Sequence, residues 1–395
     1  PGFHARAERI LGVAIKILSG ADDGRMSALG VAAGFVKPGG LIADLGGTSM
    51  EIRPVQGKAK GESFLLGPLA RAGDEELSFG KRSKLINKVL SKSQFKVESR
   101  KGQLFAVGGA WRNVAAVHMM LRNYPLRVAH GYRMTIDDVE DVIEAAELAQ
   151  SDKQTRDQLI SVSKRRYDTL PHAALLLKSL MTQIESKDVV FSAFGLRDGV
   201  AAEGVEINGR TALLDAVPLF MRSSPQSLAF GRELYSFIHP ISDRFKQSET
   251  VLRAICMMAD AGAGMHADHR AQLVFEQVLR APLPSMNHTE RLFAAYATAS
   301  RYTFKYNEDP RYARLLSMSL KRQSKILGTA MRLGSVYSGR SGPILATAKL
   351  EVEDQVLCLH VDRDYSDLIS ETVERRLGQL AGLMKLHPSL LIEQS

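Results

Sequence analysis

The stretch LIADLGGTSMEI, residues 41–52, runs an apolar segment into two glycines, two hydroxyls and a carboxylate. Glycine lets backbone N–H groups approach an anion closely and hydroxyls add donors, so Gly46, Gly47, Thr48 and Ser49 suit phosphate binding. Two further apolar segments open into glycine turns, at Gly108-Gly109 and at Gly195 followed by Arg197 and Gly199. Any one of them also reads as a tight turn that needs positive φ, but three at strand ends point towards phosphate. Asp44 and Glu51 flank the first turn, and strand alternation lets Asp44 point into the same cleft. A carboxylate beside phosphate normally serves Mg2+, which takes few protein ligands and keeps its waters. A pair of solvated turn acids is the plainer reading of the same two residues.

A second acidic motif, LSGADDGRMSALGV, places Asp22 and Asp23 at a helix start with Arg25 close by. Acids in a first helical turn are favoured by the helix dipole, so capping explains them. In a phosphate cleft the same carboxylate orients or deprotonates an attacking water. Further on, MMADAGAGMHADHRAQLV offers Asp260, His266, Asp268 and His269. His266 and His269, three apart, are expected to share a helix face, which suits either a metal or a solvated polar surface.

The elements that must position these groups alternate between helix and strand up to about residue 205. Helices are expected near 5–12, 24–35 and 76–93, and strands at 13–18 (VAIKIL), 41–45, 50–55, 62–67 and QLFAVGG. Thr135 before Asp137 and Asp138 marks a helix N-terminus, and DVVFSAFGLRDGV repeats the scheme of strand, glycine turn and helix. Long amphipathic helices fill about 210–337, and ILATAKLEVEDQVLCLHV reads as two strands before a helix over about 366–384. The expected domains are therefore 1–205, 206–340 and 341–395.

Composition narrows the class. A hydrophobic share of 45% and a charged share of 24% are ordinary for a folded globular chain. Apolar runs fall short of a membrane span. Two cysteines, Cys256 and Cys358, give neither a disulfide framework nor a metal clip, so a reducing cytoplasm is the expected compartment. The net charge of +9 favours polyanionic partners in general. Base-reading and stacking motifs for nucleic acid are absent.

Together these motifs resemble the exopolyphosphatase and guanosine pentaphosphate phosphohydrolase family, Ppx/GppA, within the actin-like, sugar-kinase-like ATPase superfamily. The family's second phosphate loop, of the form D-I-G-G-G-S-T-E-L, stands here as DLGGTSMEI, and its catalytic-loop pattern I-S-G-x-E-E-A-R-L stands as LSGADDGRM. The segments LLGPLAR, AVGGAWRNVA, YPLRVAHGY, RYDTLPHAALLL and VVFSAFGLRDGV follow in the family's order over about 200 residues.

The resemblance implies an α/β ribonuclease-H-like lobe of the actin-like ATPase type, then an all-α HD-like domain and a small α/β C-terminal cap. It implies that Asp44 and Glu51 hold Mg2+ and polarise water, and that Gly46, Gly47, Thr48, Ser49, Gly108, Gly109 and Arg197 bind phosphoryl oxygens. Asp22 then stands at the position of the catalytic glutamate, with Glu51 as the second catalytic acid. The implied activity is stepwise hydrolysis of the terminal phosphoanhydride of inorganic polyphosphate, with guanosine penta/tetraphosphate as a further ligand class and a homodimer as the assembly. The alternative is a catalytically weakened regulatory protein that binds polyphosphate or alarmone.

Departures from the family pattern mark that alternative. Asp22 is one methylene shorter than glutamate, and about 1 Å of misplacement at a reacting centre costs much rate. Thr48 replaces a loop glycine, Met50 a threonine, and Ala259 stands beside Asp260 where the HD-like domain would place a metal-binding histidine. A segment carrying a first phosphate loop of the D-x-G-S-N-S type is expected upstream of Pro1.

Overall fold

The computed structural model describes residues 2–57, 59–70, 77–95, 103–205, 209–221, 224–306 and 309–393, without side-chain detail at 209 and 210. The chain forms two compact units, Pro1–Ile207 and Asn208–Ser395. The expected boundary at 205/206 abuts residues 206–208, which lie outside the described residues.

In the first unit the described strands are β1 Gly40–Leu45, β2 Met50–Pro54, β3 Glu62–Phe64, β4 Gln103–Val107, β5 Arg133–Thr135 and β6 Asp188–Phe191. They make one mixed sheet in the order β3-β2-β1-β4-β6-β5. β4 runs parallel to both β1 and β6, whereas β1/β2, β2/β3 and β5/β6 are antiparallel. The helices are α1 Gly2–Leu11, α2 Gly20–Gly34, α3 Phe79–Leu90, α4 Gly109–Leu121, α5 Ile136–Leu148, α6 Lys153–Ser163, α7 Leu170–Gln183 and α8 Leu196–Ala201. Residue 76, the expected start of the third helix, lies outside the described residues.

Alternation along the strands divides the apolar side chains between two layers. Leu41, Ala43, Leu45, Leu104, Ala106, Val189 and Phe191 enter the larger core, with Trp111 of α4 and the Leu175–Leu177 run of α7. Ile42, Phe105, Val107 and Val190 point the other way, onto Ala28 and Val31 of α2. Asp44 continues the Ile42 face, so it comes out beneath α2 rather than in the main core. α5 starts on a full capping box, with Thr135 and Asp138 each bonding the other's backbone N–H.

The expected strand at 13–18 does not form. No ladder partner among the described residues reaches it; instead α1 side chains hold its backbone, Glu8 accepting from the Ile15 N–H at 2.9 Å and His4 meeting the Ile15 carbonyl at 2.8 Å. Val13 and Ile17 stay exposed, Ile17 at 76%, and Ile15 is only partly covered. Alternation without a neighbouring edge leaves backbone groups to be satisfied in other ways.

The second unit begins with α9 Gly209–Met221, α10 Pro225–Ile238, α11 Glu249–Met257, α12 Arg270–Leu279, α13 His288–Tyr302, α14 Met318–Ser338 and α15 Gly342–Leu345. It ends with β7 Ala348–Glu353, β8 Val356–Asp362, α16 Glu371–Met384 and β9 His387–Glu393. β8 pairs antiparallel with β7 and parallel with β9, giving a three-stranded sheet beside α16. His266 and His269 lie in the turn before α12, not on a helix face, and their rings stand 5.8 Å apart. Cys256 and Cys358 are both free and buried. No helix among the described residues is long and apolar enough to cross a membrane.

Candidate active site

β1 and β2 are joined by the turn Gly46–Ser49, closed by a bond from the Gly46 N–H to the Ser49 carbonyl of 2.9 Å. The segment after β3 braces this turn from behind, with the Leu69 N–H on the Gly47 carbonyl (2.8 Å) and the Gly67 N–H on the Thr48 carbonyl (2.9 Å). Gly67 lies so close to the Gly47–Thr48 backbone that any side chain there would overlap it. The carbonyls are thereby used, while the N–H groups of Gly47 and Thr48 donate to no acceptor among the described residues. Gly46, Gly47 and Thr48 are exposed. Fixed carbonyls behind and open amides in front form a cradle for an anion.

The hairpin register pairs Asp44 with Glu51, and directly opposed residues of an antiparallel pair put their side chains on one face. Ser27 of α2 donates to Asp44 Oδ2 in a very short hydrogen bond. Ser49 and Ser63 donate to Glu51 Oε1 at 2.6 and 3.1 Å. The Ser49 hydroxyl expected for phosphate is therefore engaged with Glu51. The start of α2 lies on Glu51, where a methyl group on Gly24 would make an ordinary 3.4 Å contact with Glu51 Cβ. Burial, then the charges of Asp23 and Glu51, push Asp44 up to about 6 against the Ser27 bond. Burial likewise raises Glu51, with the Asp23 charge adding to it.

The two acids of the α2 start differ in surroundings. Asp22 turns back on its cap: Ser19 Oγ donates to Asp22 Oδ2 at 2.7 Å, and this bond holds its carboxyl below the usual range. Arg25 lies 3.8 Å from it and bonds Glu203 at 2.8 Å. Asp23 is half-buried and raised by burial, and its charge acts on both Asp44 and Glu51. Adjacent side chains on a helix point about 100° apart, and of the two acids Asp23 is the one whose charge acts on Asp44 and Glu51. Arg53, two residues beyond Glu51 on the same face, keeps a buried Nε with no partner among the described residues.

Gly108-Gly109 ends β4 beside this pair. Gly108 has φ of +113° and presses on the Leu45 carbonyl, which only glycine permits. Gly109 opens α4, and a methyl group there would stand 2.7 Å from Arg166 Nη2, so the guanidinium lies directly over the glycine. Arg112, Asn113, Lys164, Arg165 and Arg166 line a groove of about 710 Å3 at this point. Ser163, also on its wall, has a buried Oγ with no partner among the described residues. Arg112 is lowered by burial and by the charges of Arg166 and Arg197, and raised by Asp44 and Asp198. The three arginines thus form one positive wall next to Asp44. Sequence reasoning missed Arg112, Arg166 and Ser163; the run KRR at 164–166 was the available signal.

The third glycine turn does something else. The Gly195 N–H is capped by Asp198 at 2.9 Å and is not open to a ligand. Gly30 of α2 abuts the Gly195 carbonyl, and Gly199 of α8 abuts the Met26 carbonyl, so these glycines serve a backbone-to-backbone helix crossing. Arg197 alone of this turn joins the positive wall.

Asp44 and Glu51 fit a divalent cation: two acids on one face, both raised by burial and joined by a third charge that a cation would offset. Among the described residues one group of three potential ligands has its atoms within 4.8 Å, His118, Asp138 and Asp141. Arg122 already bonds that group, 2.9 Å from Asp141 and 3.5 Å from Asp138, and it reads as an ion-paired cluster. In the second unit Asp260 is bonded by the buried Arg301 at 2.8 Å.

The description "Ppx/GppA phosphatase family" matches residues 2–206, and "Exopolyphosphatase, C-terminal" matches residues 240–391. Among solved structures, a Ppx/GppA family member from Aquifex aeolicus is 20% identical with a TM-score of 0.45, over 52% of this chain and 68% of its own. An exopolyphosphatase from Cytophaga hutchinsonii is 16% identical with a TM-score of 0.43, over 52% and 71%. No curated protein matches the chain. With the first family model spanning more than half of its residues, the chain belongs to the Ppx/GppA phosphatase family.

Proposed function

We propose that this chain hydrolyses the terminal phosphoanhydride of inorganic polyphosphate, with guanosine pentaphosphate as a second substrate of the same chemistry. The observation that carries this reading is the register that sets Asp44 opposite Glu51 at the mouth of a glycine turn with open amides, beside a wall of arginines. The strand order, with β2 antiparallel beside β1, supports a ribonuclease-H-like lobe of the actin-like type.

Asp44 and Glu51 would hold Mg2+, which when bound neutralises charge on the transferred phosphoryl group. The Gly47 and Thr48 amides and the N-terminus of α4 donate to phosphoryl oxygens, and Arg112, Arg166 and Arg197 bind the charged chain behind them. Glu51, with Oε1 held by two serines, keeps its other oxygen for the attacking water. Asp23 takes the water-orienting role that the family resemblance gives to Asp22, because its charge reaches both metal-side acids.

Phosphate release from long-chain polyphosphate by the full-length protein tests this. Asp23→Asn and Glu51→Gln should each lose about 100-fold or more in rate, the scale of a general base, while Asp22→Asn keeps most of it. Tight binding without release by wild type would leave the regulatory binding protein, a reading favoured by the self-capped Asp22.

A further inference from the structure

The segment that braces the Gly46–Ser49 turn from behind has little packing of its own. Leu66 is fully buried, but Leu65 and Leu69 stay 73% and 69% exposed. Hydrogen bonds therefore set its position. The Leu66 N–H reaches back to the Phe64 carbonyl at 2.8 Å. The Leu66 carbonyl meets Nε2 of His172, 106 residues further along the chain, at 2.8 Å. A carbonyl only accepts, so Nε2 carries the hydrogen. His172 is itself buried and stands in the first turn of α7, behind Pro171.

The next residue holds the other glycine turn. The Ala173 carbonyl accepts from Trp111 Nε1 at 3.0 Å, and Trp111 is fully buried in the first turn of α4, just past Gly109. Ahead of α7, the Arg166 carbonyl accepts from the Thr169 hydroxyl at 3.1 Å and from Asn113 Nδ2 at 3.4 Å, while its guanidinium covers Gly109. One short stretch, 166–173, is thus tied to both turns, and His172 supplies the tie to the Gly46–Ser49 side.

That tie bears on the direction of an amide. The Gly47 carbonyl and the Thr48 N–H belong to one planar peptide and point opposite ways, so the Leu69 N–H that fixes the first also aims the second. A buried carbonyl without a donor is costly, so loss of the Nε2 bond would release the Leu66–Leu69 segment and, with it, that aim.

Resting on the function proposed above, we propose that His172 is a positioning residue: through the Leu66 carbonyl it holds the Thr48 amide on the phosphoryl position, and the start of α7 anchors both phosphate turns together.

Hydrogen exchange by mass spectrometry over residues 64–70, with steady-state phosphate release by the full-length protein, tests this in His172→Asn and His172→Gln. The glutamine amide nitrogen falls where Nε2 lies and keeps the donor; the asparagine nitrogen falls nearer Nδ1 and does not reach Leu66. His172→Asn should quicken exchange in that segment about tenfold, the scale of one hydrogen bond. Well below its melting midpoint, it should lower kcat about tenfold or more with KM for long-chain polyphosphate nearly unchanged, because the arginine wall is untouched. His172→Gln should restore both. Trp111→Phe, which keeps a ring and removes the Ala173 tie, should lower kcat in the same way and carries the test if His172→Asn does not fold. Unchanged exchange or kcat in a folded His172→Asn, unchanged kcat in Trp111→Phe, or equal losses in His172→Gln would overturn the proposal and make His172 a packing residue. A wild type that releases no phosphate would instead sink the proposed function, and the exchange readout, which needs no turnover, still decides whether His172 fixes the turn.

Discussion

Replacing Asp44 by asparagine should stabilise the protein, but only where Asp44 is ionised. Its carboxyl is raised from an ordinary 3.8 to about 6 by burial and by neighbouring acids. Between those two values the folded chain keeps a proton that the unfolded chain has released, so stability falls as pH rises through that window. At about 1.4 kcal/mol per pH unit, ionised Asp44 costs about 3 kcal/mol of folding free energy above pH 6. Asparagine, like protonated Asp44, faces Ser27 as a neutral group and removes that cost; the charged Ser27 bond is already contained in the value of about 6. The gain of about 3 kcal/mol at pH 8 should raise the melting midpoint by about 8 °C, and it should vanish near pH 4. Differential scanning calorimetry of both proteins across this pH range measures it. A variant that is equally destabilised at pH 4 and pH 8 would refute the account of Asp44 as a carboxylate held ready for a cation.

Further outcomes are expected from the same geometry. Mg2+ at saturating concentration should raise the pH 8 midpoint of the wild type, by about 2.7 kcal/mol at a hundred times its Kd, and should do little for Asp44→Asn. Gly109→Ala meets only the movable end of Arg166, so it should leave thermal stability nearly unchanged while raising KM for polyphosphate in a phosphate-release assay. Gly199→Ala sets a methyl group against the Met26 carbonyl and should cost about 3 kcal/mol or more in urea unfolding.

The parts of the site that lie within one hairpin were legible in the sequence. Apolar alternation ending in Gly46-Gly47 gave β1, the turn and the flanking Asp44 and Glu51, because strand period and glycine conformation are local properties. The positive wall was not legible: Arg166 and Ser163 meet Gly109 only through the packing of α4 against α6. VAIKIL carried the strand signal without an edge to join, and HPSLLIE escaped notice although it pairs along β8, because a mostly exposed edge strand that begins beside a proline has little alternation to read. The three glycine turns looked equivalent as letters. Only tertiary contacts separate an open cradle at Gly47 from the capped crossing at Gly195.

That crossing governs how the site can change. With Gly30 seated on the Gly195 carbonyl and Gly199 on the Met26 carbonyl, α2 and α8 touch main chain to main chain, and neither can slide without collision. The start of α2 is consequently a fixed datum over Asp44 and Glu51. In such a frame the reach of an acid towards the cradle is set by its own length, in steps of one methylene. Exchanging aspartate for glutamate at position 22 or 23 then moves the carboxylate by one such step, so the spacing of this site is adjusted by exchanging side chains and not by moving the backbone.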